Sequence, residues 1–328
     1  MKKIMAISLI VFMLVAFSSC AKVIDNENFQ TDGYILIKGE EVVPQYVMKI
    51  NDNEVSLAEF RYYYLNQKSE LDGGYEQVWT DYPEYIDSLT KYVEDTLIEV
   101  YSIRTLASKN GVSPDYEKVA EEIKEYKEGL SASEYKKGLA AYYLTDNLYE
   151  YILQGYDLYN TLFNYYFGEN GERSMTDNEI ERYVDDNYTH AKHILINPNT
   201  TLSDQDYQAR LDKILAEAKA TEDFDSLVTL YSDDKLMPSY GYYFTDEEMP
   251  EEFVLACDDL EEGEVSDLVK TSHGYHIILK LPVDKKDVPE LRDVVYNQIF
   301  TELVNAEIES AKIEFAPEYE YVSPTTVK

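Results

Sequence analysis

His190-Ala191-Lys192-His193-Ile194-Leu195-Ile196 and Thr271-Ser272-His273-Gly274-Tyr275-His276-Ile277-Ile278-Leu279-Lys280 are the two segments on which the reading of this chain turns. Both are apolar and β-branched. The first is closed by Asn197-Pro198-Asn199 and the second by Pro282, so each is expected to be a short strand. Side chains alternate faces along a strand, which places His193 with Leu195 and His276 with Ile278. All four histidines of the protein lie in these segments. If the strands pair, two imidazoles meet on one face of a small sheet.

Between them the signals come in a definite order. Ser203 caps a polar helix over Tyr207 to Ala220, and Asp223 to Leu230 forms a second, short helix. The loop Ser232-Asp233-Asp234 follows, then a strand over Gly241 to Phe244. Met249-Pro250-Glu251-Glu252-Phe253 opens a helix running through Ala256, and Gly263-Glu264-Val265-Ser266 turns the chain into the last strand. This order resembles the parvulin family of peptidyl-prolyl isomerases across nearly all of 190–281. The residues that carry it are His193-Ile-Leu, Phe224 with Leu227, Ser232-Asp-Asp234, Tyr243-Phe244, Met249, Phe253, Gly263-Glu-Val-Ser266 and Gly274-Tyr-His276-Ile-Ile.

The resemblance implies an α+β domain with a small antiparallel sheet flanked by helices. It also implies roles. His193 and His276 match the family's paired strand histidines, Thr271 matches their hydrogen-bond partner, and Asp234 matches the residue beside the substrate carbonyl. Phe244, Met249 and Phe253 match the lining of the proline slot, with Met249 and Phe253 on one helical face if the helix starts at Met249. Two departures stand out: His273 replaces a small hydroxyl residue, and Gly241 sits one place earlier than the usual glycine. The loop Asn197–Asp204 carries no Lys or Arg, so phosphate-directed recognition is not expected.

Rotation about an X–Pro bond passes through a twisted amide with a barrier of about 18–20 kcal/mol. No bond breaks, so the reaction calls for neither a nucleophile, a metal nor another cofactor. The pairs His190/His193 and His273/His276 invite a zinc reading. Histidines three apart point to opposite faces of a strand, however, and Gly274 argues against a helix. Cys257, on an apolar helix face, reads as a small buried residue with no cysteine partner inside the body of the protein.

Outside this segment the chain reads as follows. Residues 1–20 carry Lys2, Lys3, an apolar run to Phe17, and Ser18-Ser19-Cys20, the pattern of a lipoprotein signal with Cys20 as the lipidated residue. An ordinary cleaved signal peptide is the alternative. Residues 21–44 read as a flexible tether and 45–188 as a helical region. Within that region Val47 to Ile50 is a strand. Ser56 and Ser131 open capping boxes, Tyr85 to Lys109 is a helix, and a long aromatic helix follows Ser131. Residues 283–316 hold one more helix, striped by Leu291, Val295, Ile299 and Leu303, and 317–328 read as a loose tail.

A helical region, an inserted parvulin-like domain at 189–282 and a C-terminal helix packing back on the N-terminal part resemble the PrsA-like and SurA-like extracytoplasmic foldases. The function this implies is a lipid-anchored isomerase assisting the folding of exported polypeptides that contain X–Pro bonds. The alternative is a client-holding chaperone whose parvulin-like domain is catalytically weak. The formal charge of −35 disfavours nucleic acid and anionic lipid surfaces as partners. The 32 tyrosines suit helix–helix contacts with wet hydroxyls, or a cradle for unfolded clients.

Overall fold

The computed structural model describes residues 33–198, 201–284 and 287–328. The expected signal segment and Cys20 lie outside these. The protein is α+β and divides into two compact units. One takes the residues up to Ser174 together with Ile299–Lys328, and the other takes Met175–Gln298. The second unit is wider at both ends than the 189–282 suggested by the motifs.

In the first unit the chain opens on a hairpin, β1 (Ile35–Ile37) and β2 (Glu40–Val42). Lys38 and Gly39, both at positive φ, make its tight turn. This corrects the tether reading for residues 33–44, because Ile35 is fully buried. A second hairpin follows, β3 (Met48–Ile50) and β4 (Asn53–Val55).

Six helices come next: α1 (Leu57–Asp72), α2 (Val78–Asp81), α3 (Glu84–Lys109), α4 (Tyr116–Lys127), α5 (Ala132–Ala141) and α6 (Asp146–Phe167). Ser56 caps α1 by accepting from the Glu59 amide, and Ser131 forms a full capping box with Glu134. The single long helix expected after Ser131 is broken in two. Tyr143 takes positive φ, and Thr145 starts α6 afresh by accepting from the Leu148 amide.

The lone tryptophan, Trp79, is buried and donates to Asp72 at 2.8 Å. Glu99 on α3 is 7% exposed, with no hydrogen bond or ion pair among the described residues. Burial raises its carboxyl to about 7.

The second unit holds α7 (Asp177–Asn187), β5 (Thr189–Ile196), α8 (Asp204–Ala220), α9 (Phe224–Tyr231), β6 (Tyr242–Phe244), α10 (Glu251–Asp258), β7 (Val269–Thr271) and β8 (Gly274–Leu281). Its sheet is antiparallel, in the order β6-β5-β8-β7. One face buries Ile194, Ile196 and Ile277 against Leu211 and Ile214 of α8 and Phe224 of α9. The other packs Ala191, Phe244 and Ile278 against Phe253, Val254 and Cys257 of α10. Helix α10 begins at Glu251, after Pro250, so Met249 precedes it and does not share a helical face with Phe253.

The last helix, α11 (Val288–Ser310), contains the division between the units. Its buried residues are Leu291, Val295, Tyr296, Phe300 and Val304, so Ile299 and Leu303 of the expected stripe lie at the margin. In the first unit, Phe300 meets the rings of Tyr159 and Phe163 edge-on, and β9 (Ile313–Phe315) pairs with β3. The three-stranded sheet β4-β3-β9 adds strand to a region read as helical. Residues 317–328 are not loose. A 3₁₀ turn spans Pro317–Tyr321, Val327 is 1% exposed and bridges Ile35, and Tyr34 and Lys328 exchange both backbone hydrogen bonds. Buried Val327 and Pro324, the rings of Tyr319 and Tyr321 packed on the core, and a strand-like pairing hold a segment whose composition looked polar.

Candidate active site

Strand register brings the histidines together. His193 lies opposite Ile278 and His276 opposite Leu195, so the two imidazoles are diagonal neighbours on one face. Their Nδ1 atoms are 2.9 Å apart, and both side chains are nearly fully buried. His193 Nε2 lies 2.9 Å from Asp234 Oδ2, and His276 Nε2 lies 2.8 Å from Thr271 Oγ1. The four residues Asp234, His193, His276 and Thr271 therefore form one continuous chain of hydrogen bonds.

Its direction follows from the chemistry at the Asp234 end. A carboxylate only accepts, so His193 carries its proton on Nε2 and leaves Nδ1 bare. His276 then donates from Nδ1 and accepts at Nε2 from the Thr271 hydroxyl, which itself accepts from the His273 amide at 3.1 Å. This requires both rings to be neutral. Burial lowers the pKa of His193, with Asp234 opposing in part. Burial, then the neighbouring His193 and His273, bring His276 down to about 4.

Asp234 sits on a loop sewn to β5. The Leu195 amide donates to Ser232 Oγ (3.1 Å), the Asp233 amide to the Leu195 carbonyl (2.8 Å), and the Asn197 amide to the Asp233 carboxylate (2.9 Å). Burial pushes the Asp234 carboxyl up. Hydrogen bonds from His193, the Leu236 amide and Tyr242 outweigh it and hold the group below the usual carboxylate range.

Beneath the imidazoles lies an aromatic floor. The Phe253 ring stands edge-on to His193 (5.5 Å), His276 (5.3 Å) and Phe244 (5.6 Å). Phe244 and Phe253 are buried, and Met249 packs half-buried against the same cluster. Leu236, 87% exposed, projects from the Asp234 loop.

Sequence reasoning passed over Ser232 and Asp233 as loop anchors and Tyr242 as a partner of Asp234. Parity was the available signal for Tyr242, since it lies two residues from Phe244 and pairs with Ala191, on the His193 face. His190 lies apart from the chain, its ring nitrogens 2.6 and 2.7 Å from the Pro282 and Tyr240 carbonyls and its ring stacked on Tyr243. Among the described residues no three His, Cys, Asp or Glu side chains group as metal ligands. Cys257 is a free, fully buried thiol whose pKa burial raises to about 12.

Comparison with known proteins bears on this geometry. Residues 193–281 match the family model described as Rotamase, PPIC-type PPIASE domain. The foldase protein PrsA of Geobacillus kaustophilus is 37% identical over 128 residues, 37% of this chain and 42% of that protein. The chaperone SurA of Methylococcus capsulatus is 30% identical over 124 residues, 37% of this chain and 27% of that protein. The chain thus spans less than half the length of either relative. A crystal structure of the peptidylprolyl isomerase PrsA from Bacillus anthracis is 21% identical, covering 66% of this chain and 96% of that one, with a TM-score of 0.36. The paired histidines, the aspartate and the aromatic floor thus lie in a segment, 193–281, that matches the PPIC-type PPIASE domain, in a chain similar over about a third of its length to PrsA foldases and SurA chaperones.

Proposed function

We propose that the protein catalyses cis/trans exchange of X–Pro bonds in exported polypeptides and thereby assists their folding outside the cytoplasm, tethered by lipid on Cys20. The observation that carries the reading is the chain Asp234–His193–His276–Thr271 above the Phe244–Phe253 floor, inside the segment matching the isomerase model. The planar amide places negative charge on its oxygen through resonance, and the twisted amide places less there. A carboxylate held beside that oxygen penalises the planar form more than the twisted one, which lowers the barrier. Asp234 supplies the carboxylate, and His193 fixes it. Phe244, Met249 and Phe253 give the proline ring its apolar seat. A ten-thousandfold gain asks about 5.5 kcal/mol of this arrangement.

Exchange NMR on an unphosphorylated X–Pro peptide tests the reading with the full chain. Catalysis is expected, with a large loss in Asp234→Ala. No rate above background in folded protein overturns it. Mass spectrometry of protein recovered from membranes tests the anchor, with a diacylglyceryl mass on Cys20 expected. An unmodified residue, or cleavage elsewhere, removes that part alone.

A second reading, client holding, is favoured by the exposed rings Tyr75, Tyr82, Tyr85 and Tyr92, of which Tyr82 and Tyr85 stack at 5.4 Å. In this reading the double variant His193→Ala, Asp234→Ala still suppresses aggregation of an unfolded client. Loss of suppression in the folded double variant counts against it.

A further inference from the structure

Tyr242 is a residue to which neither the motif nor the roles above assign any task. Its hydroxyl donates to Asp234 Oδ2 at 2.9 Å, the same oxygen that receives His193 Nε2 at 2.9 Å. The Leu236 amide donates to Oδ1 at 2.9 Å. A carboxylate offers about four lone-pair sites, two per oxygen. Oδ2 is therefore filled and Oδ1 half filled, so Oδ1 is the atom left to face a substrate.

Tyr242 is itself held at both ends. Its backbone pairs with Ala191 in the β6–β5 ladder, and its ring stands edge-on to His193 at 5.9 Å. The strand enters through Gly241, at φ +97, so close to β5 that a Cβ there would sit 2.7 Å from the Ala191 carbonyl oxygen. Asp234, by contrast, rides on a loop. The strand thus reaches across to hold a carboxylate that the loop alone carries.

We infer that Tyr242 is a positioning residue for isomerisation: its hydroxyl fixes the Asp234 carboxylate so that Oδ1, and not Oδ2, meets the substrate carbonyl. This rests on the functional reading given above. The ionisable groups that face Asp234 are His193 from β5 and Tyr242 from β6, and its charge is also felt by His276 on β8. The neighbouring Lys235 ammonium is turned to the Ser232 carbonyl. Burial, then Asp234, raises the phenol to about 12, so it remains a donor throughout the working range.

Tyr242→Phe keeps the ring and removes only the hydroxyl. In the full chain it is expected to lower kcat roughly ten- to hundredfold, the worth of one hydrogen bond to a charged group, with KM nearly unchanged. Asp234 loses a donor that stabilises its ionised form, so the acid limb of the kcat/KM profile moves to higher pH. Rates are normalised to the folded fraction from circular dichroism, so a destabilised variant is still decisive. An unmoved acid limb with unchanged kcat overturns the inference, as does a uniform loss that tracks folded fraction at every pH. Asp234→Asn is measured alongside. If it too leaves the rate unchanged, the functional reading itself fails; if it slows exchange while Tyr242→Phe does not, only the role of Tyr242 fails.

Discussion

The Nδ1 atoms of His193 and His276 face each other at 2.9 Å, and only one of them can hold a proton at that contact. A proton added to His193 sets two N–H groups head to head, and one added to His276 lands on Nε2 against the hydroxyl that Thr271 donates, both inside a buried site. The fold therefore resists protonating these rings, whereas an unfolded histidine protonates near pH 6.5.

The first prediction follows from that resistance. Because the pKa of His276 is depressed in the folded state, its contribution to stability is complete above about 6.5 and is lost as pH falls toward about 4. The loss is on the order of 3 kcal/mol for His276. Urea melts of the isomerase unit between pH 7.5 and 4, followed by imidazole NMR, should show it. His276→Gln should flatten the slope, and an equal slope in that variant excludes the mechanism.

Thr271→Val keeps the shape and removes the hydroxyl. It strips the buried His276 Nε2 of its donor, and the amide of the exposed His273 of its acceptor. The buried imidazole nitrogen left unpaired costs about 1–3 kcal/mol. Reduced stability together with slower exchange is expected, and Thr271→Ser should restore much of both. Failure of serine to rescue points to packing of the methyl group instead.

Phe253→Ala and Asp234→Ala should fail differently. Phe253 is 1% exposed and touches both imidazoles, so truncation should cost about 3–5 kcal/mol and weaken peptide binding as well as turnover. Asp234 lies at the rim and should affect turnover with little change in binding. Melting temperature and exchange rate measured on the same samples separate the two.

Glu99 carries the opposite pH dependence in the other unit. Its folded pKa is raised to about 7, so its contribution is complete below the unfolded carboxylate range and is lost as pH rises through 7. Glu99→Gln should stabilise that unit at pH 8 by up to roughly 3 kcal/mol and do little at pH 4.5. Trp79, the one tryptophan, lies in the same unit, so its fluorescence follows this transition alone. No gain at pH 8 would mean that the carboxylate is better solvated than its burial suggests.

What the sequence made legible depended on periodicity. The pairing of the two histidine strands followed from alternation and flanking turns, and the register then produced the imidazole contact. The loop anchors Ser232 and Asp233 act through single hydrogen bonds to the backbone of β5, which leave no periodic trace. The break before α6 rests on Tyr143 at positive φ, where neither glycine nor proline marks the bend. Val327 is one valine in a polar ending, and nothing local distinguishes it from an exposed residue.

The strand β9 has a consequence for the order of events in time. It lies against β3, and the Lys312 amide reaches the Asn51 side chain across a separation of 261 residues. A chain synthesised N-terminus first delivers β3 early and must wait for β9. By then every residue of the isomerase unit has emerged and can fold on local contacts. Its collapse shortens the effective loop between β3 and β9, and so lowers the closure entropy of the outer unit. A chain built this way can close its outer unit only when its own last thirty or so residues return to β3.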